Sequence, residues 1–98
     1  MLFLVTWDSI DTSEESARRS LEVFSKWQPP AGVEFKGFYS YAEGNGGAAI
    51  IEATSAAALT RSMATFIPWL SFDSRAILPI EEWAAISGEA VAFRDSVG

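Results

Sequence analysis

Residues 33–53 read VEFKGFYSYAEGNGGAAIIEA and predict an antiparallel β-hairpin. The first strand, Val33–Tyr41, has the two-residue alternation of a β-strand. The stretch Glu43–Gly47 contains the Gly and Asn residues that accept the positive φ of a tight turn. A second strand, Ala48–Ala53, follows directly. The hairpin lies at the centre of the chain, so the elements on either side of it decide the fold.

Before the hairpin, the continuous apolar run Leu2–Trp7 is typical of a strand buried on both faces. A helix follows, and its start resembles a capping box in which the Thr12 hydroxyl accepts from the backbone N–H of Glu15. Pro29 and Pro30 end this helix because neither residue donates a backbone hydrogen bond.

After the hairpin, Thr54 or Ser55 caps a second helix that Pro68 closes. A fourth strand is expected over Phe72–Ile80, and a third helix from Glu81 onward. The apolar stripes of the three helices are Ala17, Leu21 and Phe24, then Ala56, Leu59, Met63 and Phe66, then Trp83, Ile86, Ala90 and Phe93.

The predicted order is therefore β-α-β-β-α-β followed by a terminal helix, in one domain over residues 1–98. Right-handed crossovers place the first two helices on one face of a four-stranded antiparallel sheet with spatial order 4-1-3-2. This is an α+β, ferredoxin-like architecture.

The sheet face away from the helices is expected to need a cover. The first strand is apolar on both faces, with Leu2 and Leu4 on one side and Phe3 and Val5 on the other. Either the terminal helix covers the open face within one chain, or a second copy covers it across a two-fold axis. We favour the second copy, which would make the protein a homodimer and a dimeric α/β barrel.

Five short segments carry a resemblance to a known family: Leu4–Trp7, Pro30–Val33, Gly37–Ser40, Gly46–Ala53 and Ile77–Ile80. Through them the chain resembles an uncharacterised bacterial family of short single-domain proteins, a domain of unknown function. The resemblance implies a ferredoxin-like, dimeric α/β-barrel fold and supplies no activity. Members of the family often have an aromatic residue followed by His where this chain has Tyr39 and Ser40.

Composition excludes several kinds of chemistry. The chain has no Cys and no His, which removes thiolate nucleophiles, Ser-His-Asp catalysis and Cys- or His-ligated metals. Its net charge is −6 and its basic residues are scattered, so neither nucleic acid nor an anionic membrane is an expected partner. The apolar start is too short for a signal or membrane span, and a cytoplasmic protein is expected.

Four aromatic residues are candidates for the wall of a small-molecule pocket: Trp7, Phe38, Tyr39 and Tyr41. The alternative is that these side chains only pack the core. Glu52 is the candidate catalytic group, because a carboxylate enclosed in a dry cavity can act as a general base. A five-residue turn would place Lys36 opposite Glu52, and the two would then form an ordinary ion pair.

Two functions follow from these residues. The first is small-molecule binding in a cavity of a homodimeric α/β barrel, with cofactor-free acid/base chemistry as an extension. The second is a non-catalytic interaction module whose apolar sheet face serves only dimerisation. The sequence indicates no metal site and no cofactor, because the adjacent carboxylates of Glu14-Glu15 and Glu81-Glu82 are explained by helix dipoles.

Overall fold

Four strands and three helices follow one another in the predicted order. The computed structural model describes all 98 residues, Met1–Gly98. Its elements are β1 (Leu2–Ser9), α1 (Glu14–Lys26), β2 (Val33–Ser40), β3 (Gly46–Ala53), α2 (Ala56–Ala64), β4 (Leu70–Ala76) and α3 (Ile80–Val97). The strands form one antiparallel sheet in the order β2-β3-β1-β4, which confirms the predicted 4-1-3-2 arrangement and the ferredoxin-like topology.

The core lies between the two central strands and α2. Val5 of β1, with Ala49 and Ile51 of β3, points to this side of the sheet, and Leu59 of α2 packs over them. Only 10 of the 98 residues are buried, so the hydrophobic stabilisation available within one chain is small for its length.

Serine hydroxyls cap the first two helices. The Ser13 hydroxyl accepts from the backbone N–H of Ser16 (3.2 Å), and the Ser55 hydroxyl accepts from that of Ala58 (3.1 Å). The predicted cap at Thr12 is therefore wrong by one residue, while Ser55 was one of the two residues expected for α2. The helix α1 ends at Lys26, before the two prolines, as expected.

The inward face of α1 differs from its predicted stripe. Ala17 and Leu21 are exposed, whereas Ser20 and Val23 are half-buried. Phe24 is turned toward the sheet, with its ring beside those of Phe38 and Phe66, although 45% of it is exposed. No residue of α1 is buried, so this helix covers the sheet loosely.

The hairpin has a different register from the one expected. Glu34 lies opposite Glu52 and Gly37 opposite Ile50, because a β-bulge between Phe35 and Gly37 leaves Lys36 without a partner. The predicted pairing of Lys36 with Glu52 is wrong. The bulge also reverses the alternation after it, so that Phe38 joins Phe35 on the helix side of the sheet.

The ends of the strands also differ from the expectation, most of all in β3 and β4. Strand β3 begins at Gly46 rather than Ala48, because Gly46 and Gly47 continue the ladder against Asp8 and Trp7. Strand β4 begins at Leu70 and ends at Ala76, short of the predicted Ile80.

The terminal helix α3 does not cover the open face of its own sheet. None of its residues is buried, and Trp83 and Phe93 are 56% and 70% exposed. The chain is 63 Å long with a radius of gyration of 17.9 Å, whereas a compact domain of this length has about 13 Å. The alternative in which α3 covers the sheet within one chain is therefore wrong. No helix combines the length and the apolar composition that a membrane span requires.

Candidate functional site

An apolar cavity of about 120 Å³ lies between the sheet and the first two helices. The residues that line it from the sheet are Val5, Trp7, Phe35, Phe38, Ala49, Ile51, Leu70 and Phe72. The residues that line it from the helices and the segments directly after them are Phe24, Trp27, Ser62, Met63 and Phe66. The loose packing of α1 leaves this space open.

Aromatic rings form a continuous wall around the cavity. The rings of Phe35 and Phe38 have centroids 4.7 Å apart, and Trp7 meets Phe38 edge to face at 5.7 Å. Trp27 meets Phe66 edge to face at 5.5 Å on the helix side. Edge-to-face and tilted ring pairs are favourable, so the wall is held in a defined arrangement.

Polar chemistry is almost absent from the cavity. Ser62 is its one polar lining residue, and the Ser62 hydroxyl donates to the carbonyl of Leu59 at 2.6 Å. That hydroxyl keeps its own lone pairs as acceptors. No titratable side chain lines the cavity, so this space suits an uncharged apolar molecule.

The four aromatic candidates separate into two groups. Trp7 and Phe38 both line the cavity. Tyr39 lies on the opposite face of the sheet, opposite Ala48, with its ring against Gly37 and 66% of it exposed. Tyr41 follows the end of β2 in the hairpin and is 39% exposed. Neither tyrosine therefore lines this cavity, although Tyr39 borders a second, more open hollow together with Trp7 and Phe38.

Glu52 lies outside the cavity. Its neighbours Ile51 and Ala53 point to the core, so Glu52 points to the open face. Its carboxylate accepts from the amino group of Met1 at 2.6 Å. Lys36 instead donates to Glu34 on its own strand at 3.1 Å. The structure therefore separates the candidate base from the aromatic wall.

Sequence reasoning missed most of the cavity lining. Phe24, Trp27, Phe66 and Phe72 belong to the wall but were not among the candidate site residues. Their common signal is an aromatic side chain near the end of an element. Phe24 lies in the last turn of α1, and Trp27 and Phe66 lie just after α1 and α2. Phe35 was missed because the bulge that aligns it with Phe38 leaves no mark in the residue pattern.

The face of the sheet away from the helices, called the open face below, has an apolar centre. Leu4 lies beside Ile50, and Thr6 lies beside Ala48, with Tyr39 next to them on β2. No element of the chain covers these side chains, and Ile50 is 36% exposed.

Ion pairs border the open face on both edge strands. Lys36 pairs with Glu34 on β2, and Arg75 pairs with Asp73 on β4 at 3.4 Å. Each edge is therefore electrically balanced although the whole chain carries a net charge of −6. An apolar centre inside a charged rim is the usual composition of a protein interface.

The chain has no cluster of three or more acidic residues that would hold a metal ion.

The fold and the cavity define a ferredoxin-like α+β protein with an apolar space between its helices and its sheet. The family described as Domain of unknown function (DUF3303) matches residues 1–91, and the chain belongs to this family. No curated protein and no solved structure matches the chain. The resemblance to a family of unknown function is confirmed.

Proposed function

We propose that the protein is a homodimer that binds a small, uncharged, apolar molecule in the cavity between its helices and its sheet. The observation that carries this proposal is the wall of aromatic rings around a space with one polar lining residue. Binding sites for small molecules are typically concave and apolar, with few polar groups.

The dimensions of the cavity favour a molecule with a single ring. An apolar cavity of about 150 Å³ holds benzene, and the present cavity of about 120 Å³ is of similar size. The Ser62 hydroxyl provides one acceptor for a polar substituent of the ligand. Because no acid or base lines the cavity, binding is better supported than acid/base catalysis.

The open face supports the homodimer. Its apolar centre, Leu4 and Ile50, would be covered by the same surface of a second chain across a two-fold axis. Such packing of sheet on sheet buries both apolar faces without requiring another protein.

Iodobenzene, whose heavy atom quenches tryptophan fluorescence, tests the cavity. Trp7 and Trp27 line the cavity, whereas Trp83 lies on the exposed α3. We expect saturable quenching that toluene reverses, and we expect Trp83→Phe to retain it. Quenching that rises linearly without saturation, or that toluene does not reverse, would contradict the proposal.

Two variants on α2 sharpen this experiment. Ser62→Leu places a larger apolar side chain in the cavity and should abolish saturable quenching, while Ala64→Leu, an exposed position on the same helix, should leave it unchanged. Circular dichroism confirms that each variant is folded. Equal quenching in both variants would show that the molecule binds elsewhere.

A second function, dimerisation without a ligand, is favoured by the size of the cavity. Pockets for drug-sized ligands have volumes of about 300–1,000 Å³, well above the 120 Å³ found here. If iodobenzene and toluene do not bind while the protein is dimeric, this second function is the better one.

A further inference from the structure

The terminal helix α3 carries an apolar seam that nothing in the chain covers. The residues of this seam are Trp83, Ile86, Ala90, Phe93 and Val97, spaced alternately three and four residues apart. This spacing places them on one side of the helix, as in the helices of coiled coils. All five are exposed.

A helix of this length gains most of its stability in a protein from the packing of its apolar face. Its 18 residues only just exceed the roughly 12–15 below which even alanine-rich isolated helices are marginal in water. Gly88 in the middle weakens it further. The helix therefore requires a packing partner, and the rest of its own chain does not supply one.

The accessible surface of this chain is larger than that of a compact monomer of the same mass, by an amount that fits an uncovered interface. A compact monomer of 10.7 kDa exposes about 5,500 Å², whereas this chain exposes 6966 Å². The excess is larger than the roughly 800 Å² that each partner contributes to a stable complex.

We propose that α3 is an arm that docks through its seam on a second copy of the chain, reciprocally in the two protomers. This inference rests on the proposed homodimer. The partner is a second copy of the chain because such a copy would supply both a surface on which the seam docks and a cover for the open face. A two-fold axis doubles each of these contacts, so neither apolar surface stays in water.

The charges on α3 agree with this docking. Glu81 and Asp95 lie on the side of the helix opposite the seam, whereas Glu82 and Glu89 lie along one border of it. No acidic residue lies within the seam itself, so covering the seam does not force a charge into its apolar centre.

A matched pair of variants tests the arm. Ala90→Glu places a charge in the seam, and Ala92→Glu makes the same change on nearly the opposite side of the helix. Both positions are exposed in one chain, so neither change should affect the fold of the monomer. Arg94, four residues after Ala90, favours Glu at that position within the helix, so a weakened dimer must come from docking.

Sedimentation equilibrium measures the dimerisation constants of the wild type and of the two variants. We expect Ala90→Glu to weaken dimerisation by at least about tenfold, because a charge would be buried without a partner, and Ala92→Glu to match the wild type. Equal dimerisation constants for the two variants would contradict the proposal that α3 docks through its seam on a second copy.

A second pair of variants, Ile50→Glu with Ile67→Glu as its control, separates this inference from the proposed homodimer. Ile50→Glu disrupts the apolar centre of the open face, and Ile67→Glu makes the same change at an exposed residue after α2. If Ile50→Glu is monomeric while Ala90→Glu leaves the dimer intact, the dimer through the open face stands and the docking of α3 is wrong. If the wild type is itself monomeric, both are wrong.

Discussion

At the scale of single residues, Gly47 lies where no side chain fits. A Cβ atom on Gly47 would collide with the Tyr39 carbonyl oxygen and with the ring of Trp7. We expect Gly47→Ala to lower the free energy of unfolding by about 1–3 kcal/mol, because the backbone and the Trp7 ring must move. Thermal denaturation measures this, and an unchanged melting temperature would contradict the packing of Trp7 described above.

Asp11 gives a second prediction at this scale. The Ser16 hydroxyl donates to its carboxylate at 2.5 Å and the Ser13 backbone N–H donates at 2.9 Å, and both lower the pKa of Asp11 below its ordinary value. Because the pKa is lower in the folded state, the stabilisation is present above the unfolded-state pKa and is lost as the pH falls through the folded-state pKa.

We therefore expect Asp11→Asn to lower the melting temperature near neutral pH. The difference from the wild type should shrink as the pH falls through the depressed pKa of Asp11. Melting curves over this acidic range measure it. A difference that stays constant with pH would show that the charge on Asp11 does not contribute.

The residue scale is also where sequence reasoning succeeds least at the candidate site. Trp7 and Phe38 line the cavity, but the bulge at Lys36 reverses the alternation of the side chains after it and places Tyr39 on the opposite face of the sheet. A bulge depends on the pairing of two strands, so it has no signature in one strand alone. The same shift removes Lys36 from the vicinity of Glu52.

At the scale of elements, α3 is weakened by Gly88. A Cβ atom there would meet nothing, and Gly88 lies on the side of the helix opposite the seam. We expect Gly88→Ala to stabilise the protein by about 1 kcal/mol through helix propensity, and to raise the melting temperature by about 4–8 °C.

Dimerisation should not change in this variant, because the new methyl group faces away from the proposed interface. Circular dichroism measures the helix content and the melting temperature, and sedimentation measures the mass. A loss of stability would indicate that the side of α3 opposite the seam is packed against something.

Elements are where the sequence is most informative. Each strand and helix was predicted in order, because alternation, apolar periodicity, prolines and glycines act locally. Errors in the extent of the elements are confined to their ends, such as Ser13 instead of Thr12 as the cap and Ala76 instead of Ile80 as the end of β4. Whether α3 packs on its own sheet depends on tertiary contacts, and its apolar stripe is the same in both cases.

At the scale of the whole molecule, the proposed homodimer accounts for the small core, the open face and the free helix together. The chain buries 10 of its 98 residues and exposes an apolar seam and an apolar sheet face, and in the proposed homodimer a second copy would cover both. The cavity remains within each protomer, so two ligand sites are expected per dimer.

The central claim is that a second copy covers these surfaces. A native mass spectrum of the purified protein at micromolar concentration tests it most directly, since it reports the number of chains and any retained molecule together. We predict a dimer with twice the chain mass of 10.7 kDa, with or without a small apolar molecule. A single chain as the persistent species would contradict the claim.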